Sequence, residues 1–229
     1  MRWLIVGPYP PERGSGADAA AAFVAERLAD GDTVHAVSPR PTAAHVHHDL
    51  AGIGGVRTLW RVARQQRTDG LWLRIESGMV LRAGTDRRRA LLERAALALL
   101  LRRFEASVLD VADVGLLPGG RAGRLVLGAA SRFVVHREQD GAILVANGAP
   151  VARIEHPAAT GGSAPVALVA GGPTAEPVPA DYPPPSTLLA LPADRGAIEA
   201  AVRHRAEELR AARAAAEAAV SHSAGPTVG

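Results

Sequence analysis

The strongest constraint on the fold lies in the first thirty residues, where an apolar run, a glycine-rich loop and a helical pattern follow one another. Residues 3–6 are apolar and stop at Gly7, which predicts a buried strand ended by a turn. The loop at residues 8–16 leads into an alanine-rich helical pattern that begins between Ser15 and Asp18, because both side chains cap a first turn. Backbone N–H groups and the positive end of a helix dipole are therefore expected at the strand's C-terminal edge, where open α/β sheets bind ligands.

The rest of the chain alternates predicted strands with predicted helices. Further strands are predicted at residues 33–38, 71–75, 107–111, 132–136 and 151–154, and further helices at residues 56–66, 87–104, 121–130, 138–146 and 194–220. Residues 41–55 are predicted to be irregular. Strand–helix–strand units of this length favour parallel pairing, so the prediction is an α/β fold with a Rossmann-like parallel sheet of about six strands flanked by helices.

The composition changes after residue 157, which predicts three regions. Residues 1–157 form the Rossmann-like domain, and residues 158–187, rich in Pro and Gly, are a linker in which only residues 166–169 are strand-like. Residues 188–229 hold a surface helix, and their last nine residues, 221–229, are expected to be a disordered tail.

Composition excludes several kinds of protein. The chain has no cysteine, which removes disulfides, thiol catalysis and cysteine zinc sites and is typical of a reducing cytosol. All 26 basic residues are arginine, set against 23 acidic residues, and aromatic residues make up 3%. This balance argues against a nucleic-acid partner, which needs a dense basic face with stacking aromatics. No targeting or membrane-spanning segment is recognisable, so a cytoplasmic protein is expected.

Four stretches carry a resemblance to a known family: LIVGPYPPERGSGADAAAAFVAERLADGDTVHAVSP at residues 4–39, IESG at 75–78, ADVGLLPGG at 112–120 and SRFVVHREQDGAILVANGAPVARIEHPA at 131–158. In this order, residues 1–157 resemble the N-terminal, acceptor-side domain of the GT-B-fold retaining glycosyltransferases of the family-four type. The resemblance implies transfer of a sugar from a nucleotide-sugar, bound as substrate without a further cofactor, to a sugar or lipid acceptor. Ala112 stands where that family usually has His, and residues 188–229 resemble a remnant of its second domain. The alternative interpretation is therefore a non-catalytic acceptor-binding subunit that works with a partner glycosyltransferase chain.

The resemblance and the predicted strand ends together select the candidate site residues. Gly14, Ser15 and Gly16 match the family's loop near the donor phosphates, although glycines also simply permit a tight turn. The candidate catalytic residues, each at the end of a predicted strand, are Glu76, Asp113 and His136; the candidate binding residues that follow are Arg137 and Glu138. Strand-end polar residues are also ordinary helix caps, and that alternative stays open for all five.

Two further clusters have a functional and a plain interpretation. His45, His47, His48 and Asp49 nearly form a metallo-hydrolase signature, but Leu50 replaces its final His, so no metal site is predicted and a solvated loop is favoured. The leucine-rich helix at residues 87–104 has arginines at both ends. It is either an ordinary core helix or a peripheral contact with anionic lipid at the inner face of a membrane.

Overall fold

The computed structural model describes residues 1–12, 14–40, 42–156 and 192–223. The strands are β1 (Arg2–Val6), β2 (Thr33–Ser38), β3 (Val46–His47), β4 (Gly70–Ile75), β5 (Ala106–Val111), β6 (Arg132–Val135) and β7 (Ile154–Glu155). The α-helices are α1 (Ser15–Ala29), α2 (Gly52–Gln66), α3 (Arg87–Leu101), α4 (Arg121–Ala129), α5 (Glu138–Ala146) and α6 (Pro192–Ser223). Short 3-10 helices lie at Val114–Leu116 and Val151–Arg153.

The seven strands form one parallel sheet in the order β3-β2-β1-β4-β5-β6-β7. The chain builds outward from β1 in one direction and then restarts with β4 on the other side of β1. The carboxyl ends of β1 and β4 therefore flank a topological switch point, which is where sheets of this kind form a crevice. The predicted α/β parallel sheet is confirmed.

Side-chain alternation along the strands supplies two hydrophobic layers. On one face Leu4, Leu73 and Leu109 pack beneath α2 to α5. On the other, Trp3, Ile5, Trp72 and Val108 pack against α1 and α6. Both sheet faces are thus covered by helices, as an all-parallel sheet requires.

The C-terminal helix is part of this second layer. Ile198, Val202 and Ala206 of α6 are buried, and Arg213 pairs with Asp30 just after α1. The guanidinium of Arg210 donates to the last carbonyls of α1, where the helix dipole is negative. The predicted C-terminal helix is confirmed, and one side of it contributes to the core.

Several element boundaries differ from the sequence prediction. A strand, β3, lies in the segment predicted to be irregular, and α2 begins at Gly52 because that glycine adopts a φ of 66° and lets the chain turn directly into the helix. The segment predicted as a strand at residues 151–154 is mostly a 3-10 helix, with pairing only at Ile154–Glu155. The leucine-rich helix ends at Leu101 rather than at residue 104. The N–H groups of Arg103 and Phe104 bond to the carbonyls three residues earlier, which makes tight turns instead of a further helical turn.

The remaining predictions concern the end of the chain. The linker, its strand-like residues 166–169 and residues 224–229 lie outside the described residues. Ser221–Ser223, predicted as the start of a disordered tail, still belong to α6.

Candidate functional site

The loop after β1 and the end of β4 meet at the switch point between the two strands. Gly14 has a φ of 131° and precedes α1 without any side-chain cap, which leaves the first-turn N–H groups of α1 without a capping side chain. Gly16 lies directly on the side chain of Arg74 from β4, and a Cβ at this position would stand 2.7 Å from Arg74 Nε. The glycine therefore permits a close approach between the first turn of α1 and β4.

Arg74 is the centre of a polar cluster at this edge. Its Nε donates to Glu76 Oε2 at 2.9 Å, and its Nη1 donates to Asp110 Oδ2 at 2.6 Å. Its Nη2 donates to Ser15 Oγ at 3.3 Å. Burial lowers the pKa of Arg74. The charge of Asp110 and the hydrogen bonds to both carboxylates raise this pKa by more than burial lowers it, so the net shift is upward. Arg74 is therefore a fixed cation that joins three elements.

Asp110 continues the cluster toward β6. Its side chain is 1% exposed, and its second oxygen, Oδ1, lies 2.5 Å from His136 Nε2. A carboxylate only accepts hydrogen bonds, so Nε2 carries a proton, and whenever the ring is neutral Nδ1 is the acceptor. His136 is 36% exposed, which leaves its ring open to a ligand. A buried Asp that orients a partly exposed His is an arrangement suited to general-base chemistry.

A second carboxylate, Glu12, comes from the loop after β1. Its Oε1 accepts a bond of 2.5 Å from Arg40 Nη1, while its Oε2 is buried and has no hydrogen-bond partner among the residues that the structure describes. Burial raises the pKa of Glu12; the charge of Arg40 opposes this and that of Glu76 adds to it. Glu12 thus lies within electrostatic reach of Glu76 and has a free acceptor atom.

The structure brings together four of the sequence-predicted residues: Ser15 and Glu76 contact Arg74, Gly16 packs on it, and His136 joins through Asp110. Gly14 is the exposed residue preceding α1.

The side chains of the other predicted residues have their contacts elsewhere. Asp113 Oδ1 accepts from the N–H of Gly115 at 3.0 Å and caps a 3-10 helix. Arg137 and Glu138 are exposed at the start of α5, where Arg137 lies 3.8 Å from Asp140. Their functional roles stay predictions.

The histidines after β2 make local structural contacts. His45 Nδ1 accepts from the N–H of Ala36 at 3.0 Å, and the ring of His45 stacks on that of His35 with centroids 5.0 Å apart. His47 Nε2 lies 3.0 Å from both the backbone nitrogen and the carbonyl oxygen of Thr42. These contacts tie the segment to β2, and His47 belongs to β3 rather than to the solvated loop that the sequence favoured.

Sequence reasoning missed Arg74, Asp110 and Glu12. Arg74 and Asp110 stand inside LWLRI and SVLDV, where all other residues are apolar or small. Charged residues are rarely buried without a partner, so one charge in each of two adjacent buried strands is a readable signal of an ion pair. Glu12 carries no comparable signal, because its burial depends on how the loop folds back.

No protein-family model and no curated protein matches the chain. Among solved structures, the UDP-GlcNAc 2-epimerase from Methanocaldococcus jannaschii matches with a TM-score of 0.40 and 10% identity, over 68% of this chain and 45% of that one. Anabaena Alr3699/HepE, solved in complex with UDP-glucose, matches with a TM-score of 0.41 and 12% identity, over 68% of this chain and 43% of that one. The chain thus spans less than half the length of either protein.

Proposed function

We propose that the chain carries the acceptor-side half of a sugar-transfer site, centred on the Asp110–His136 dyad at the switch-point edge of the sheet. The observation that supports this most directly is the 2.5 Å contact between the buried Asp110 carboxylate and the partly exposed His136 ring. A transfer reaction needs a base for the acceptor hydroxyl, and a His held in one tautomer by a carboxylate supplies it.

In this proposal each member of the cluster has one task. His136 Nδ1 takes the proton of the attacking hydroxyl, and Asp110 stabilises the imidazolium that forms. Arg74 holds Asp110 from the other side, at 2.6 Å. Glu76 and Glu12 each present carboxylate oxygens at the same edge and can accept bonds from ligand hydroxyls.

The groups available to bind the nucleotide-sugar donor favour a second candidate function, in which another chain supplies the donor site. A departing nucleoside diphosphate needs cations or helix N-termini that are free to stabilise its charge. Arg74 is committed to two carboxylates and a hydroxyl, which leaves the uncapped N-terminus of α1 as the group at this edge that can meet a diphosphate. We therefore keep a second candidate function, an acceptor-binding subunit whose donor site lies on a partner glycosyltransferase chain.

Calorimetric titration with nucleotide-sugars and free nucleoside diphosphates, followed by a transfer assay, tests the two candidates. Autonomous transfer predicts nucleotide-sugar binding and a turnover that His136→Gln lowers about 10²–10⁴-fold. His204→Gln, on the exposed side of α6, is the matched control and leaves turnover unchanged. Absence of nucleotide-sugar binding contradicts autonomous transfer; acceptor binding without donor binding supports the subunit.

The outer surface of α2 and α3 supports a separate proposal on location. Leu92 and Leu99 are more than half exposed, and Leu99 lies beside Trp60 and Arg57 in a groove of about 340 Å³. Three arginines of α2 and three of α3 are exposed: Arg57, Arg61, Arg64, Arg87, Arg88 and Arg89. The acidic side chain of these two helices, Glu93, is buried.

An apolar patch on two helices whose exposed charged side chains are arginines is complementary to an anionic bilayer surface, and we propose such a surface as the occupant of this α2–α3 face. No helix in the described parts of the chain has both the length and the apolarity needed to cross a membrane. The proposal is therefore a peripheral contact.

Vesicle co-sedimentation tests this contact. We expect binding to vesicles containing phosphatidylglycerol, weaker binding in high salt, and little binding to pure phosphatidylcholine. Replacing Leu92 and Leu99 together by Gln should abolish binding, whereas Val151→Gln, at an exposed apolar residue elsewhere, should not. Equal binding to neutral and anionic vesicles would overturn the proposal.

A further inference from the structure

A pocket of about 240 Å³ opens on the α1 side of the sheet, next to the dyad. Asp110 and His136 belong to its lining, so the pocket and the proposed base share a wall. Its apolar part is formed by α1 and the strands: Ala19, Ala22, Phe23, Trp72 and Val134. Whatever occupies this pocket lies against His136.

The aromatic rings in the lining already have partners. Phe23 stacks on Trp72 with centroids 5.9 Å apart and an interplanar angle of 29°, and it meets Trp3 edge-on at 5.2 Å. The guanidinium of Arg27 lies 5.3 Å from the centre of the Phe23 ring. Trp72 and Phe23 are both almost fully buried, so they offer edges rather than a free face. A flat aromatic ligand such as a nucleobase therefore finds no stacking platform here.

The polar part of the lining combines both charges. Glu26 and Glu155 supply carboxylate acceptors, and Arg132 and His156 supply nitrogen atoms. Arg132 Nη1 lies 3.4 Å from Glu155, while its Nε is buried and no described residue bonds to it. Two carboxylates beside one arginine disfavour a phosphate. A lining with both hydrogen-bond donors and acceptors suits hydroxyl groups, which can donate and accept hydrogen bonds.

Size excludes a large ligand. Pockets for drug-sized molecules run from about 300 to 1,000 Å³, so this one is too small for a whole nucleotide-sugar. It has room for a single non-aromatic ring with its hydroxyls.

We propose that this pocket binds one uncharged sugar ring of the acceptor, with Glu26 and Arg132 as its selecting residues, so that a ring hydroxyl meets His136. The inference rests on the proposed sugar-transfer function and adds the class of acceptor: a neutral glycosyl unit. Anionic sugars and bare phosphate-bearing lipids are disfavoured by the carboxylates Glu26 and Glu155.

The test is a ligand titration on the full chain followed by NMR. The probes are the methyl glycosides of glucose, galactose and mannose, with methyl glucuronide, inorganic phosphate and UMP as competitors of other chemistry. We expect at least one neutral glycoside to bind with a dissociation constant on the order of 1 mM, as is usual for so small a ligand. The glucuronide, inorganic phosphate and UMP should bind at least tenfold more weakly than that glycoside.

Two variants report on the location. Ala22→Phe fills the pocket from α1 and should weaken glycoside binding more than tenfold, while Ala212→Phe, at an exposed position of α6, should not. If Ala22→Phe fails to fold, Glu26→Gln and Arg132→Gln change exposed or half-exposed polar groups and should still weaken binding.

The outcomes separate this inference from the proposed function. Nucleotide-sugar binding or transfer without any glycoside binding overturns the acceptor class but leaves sugar transfer standing. Glycoside binding that survives Ala22→Phe, or preferential binding of glucuronide, phosphate or UMP, overturns the pocket assignment. If no sugar, nucleotide-sugar or nucleoside diphosphate binds, both proposals fall.

Discussion

At the scale of single residues, Arg74 and Asp110 are a buried ion pair that the candidate site depends on. Replacing Asp110 by Asn leaves the Arg74 cation buried beside a neutral group and should lower the free energy of unfolding by about 3–5 kcal/mol. Glu76→Gln is the matched control, because Glu76 is 28% exposed and water can replace its contact, so its loss should stay near 1 kcal/mol. Urea denaturation of the three proteins measures both values, and equal losses would contradict the special position of Asp110.

Gly16 makes a second prediction at this scale. A Cβ there would stand 2.7 Å from Arg74 Nε, so Gly16→Ala must displace the guanidinium and should cost about 1–3 kcal/mol. Gly128→Ala is the control: nothing lies within 4 Å of a Cβ at this exposed helical position, so the change should stabilise by up to about 1 kcal/mol. Thermal unfolding shows whether each variant is destabilised or stabilised. A stabilising Gly16→Ala would show that the first turn of α1 is not in close contact with Arg74.

At the scale of elements, β2 carries a pH-sensitive contact. Burial, together with the charge of His45, lowers the pKa of His35 from 6.5 to about 4. Between about pH 6.5 and pH 4 the unfolded chain therefore binds a proton at His35 that the folded protein does not bind. The free energy of unfolding must decrease as the pH falls through this range. The pKa of His45 is lowered too, mainly by burial, and adds in the same direction.

Urea unfolding at several pH values across that window measures the effect. His35→Gln should reduce the slope, while His204→Gln, which removes a largely exposed histidine, should leave it unchanged. A slope that is unaffected by His35→Gln would assign the acid sensitivity to other groups.

The C-terminal helix α6 offers a prediction about what belongs to the fold. Ile198 is buried against the α1 side of the sheet, so Ile198→Ala should cost about 2–5 kcal/mol. Ile143→Ala, at a position of α5 that is 42% exposed, should cost clearly less. Similar small losses for both variants, measured by chemical denaturation, would mean that α6 is not packed on the core in solution.

Element boundaries show where local sequence patterns stop being informative. The strands with continuous apolar runs were predictable because burial on both faces demands such runs. The two-residue strands β3 and β7 have no pattern of their own, since their pairing depends on the neighbours β2 and β6. The start of α2 depends on backbone geometry at Gly52, which propensity does not encode.

At the scale of the whole molecule, two hydrophobic layers share one sheet. Trp3 and Trp72 lie in the α1–α6 layer, while most helical residues outside α1 and α6 cover the other layer. We expect one cooperative transition, with tryptophan emission of a Trp60→Phe variant and far-ultraviolet circular dichroism giving the same urea midpoint. Two separate midpoints would show that the layers unfold independently.

Part of the candidate site was predictable from the positions of its residues at the ends of the strands. A parallel sheet brings the carboxyl ends of its strands to one edge, so Glu76 and His136 could be placed together from their positions alone. Whether Asp113 joined them depended on the turn after β5, in which its side chain caps a 3-10 helix. The ion pairs that organise the edge required knowledge of which strands are neighbours, since Arg74 and Asp110 are 36 residues apart in the chain.

The shortness of β3 and β7 also has a consequence for behaviour in concentrated solution. Within the described parts of the chain they are the outermost strands of the sheet, and each spans two residues. An outer strand exposes unpaired backbone groups along one side, and long exposed edges recruit strands from other molecules. Two-residue edges present very few such groups, so the sheet is poorly suited to growing by strand addition.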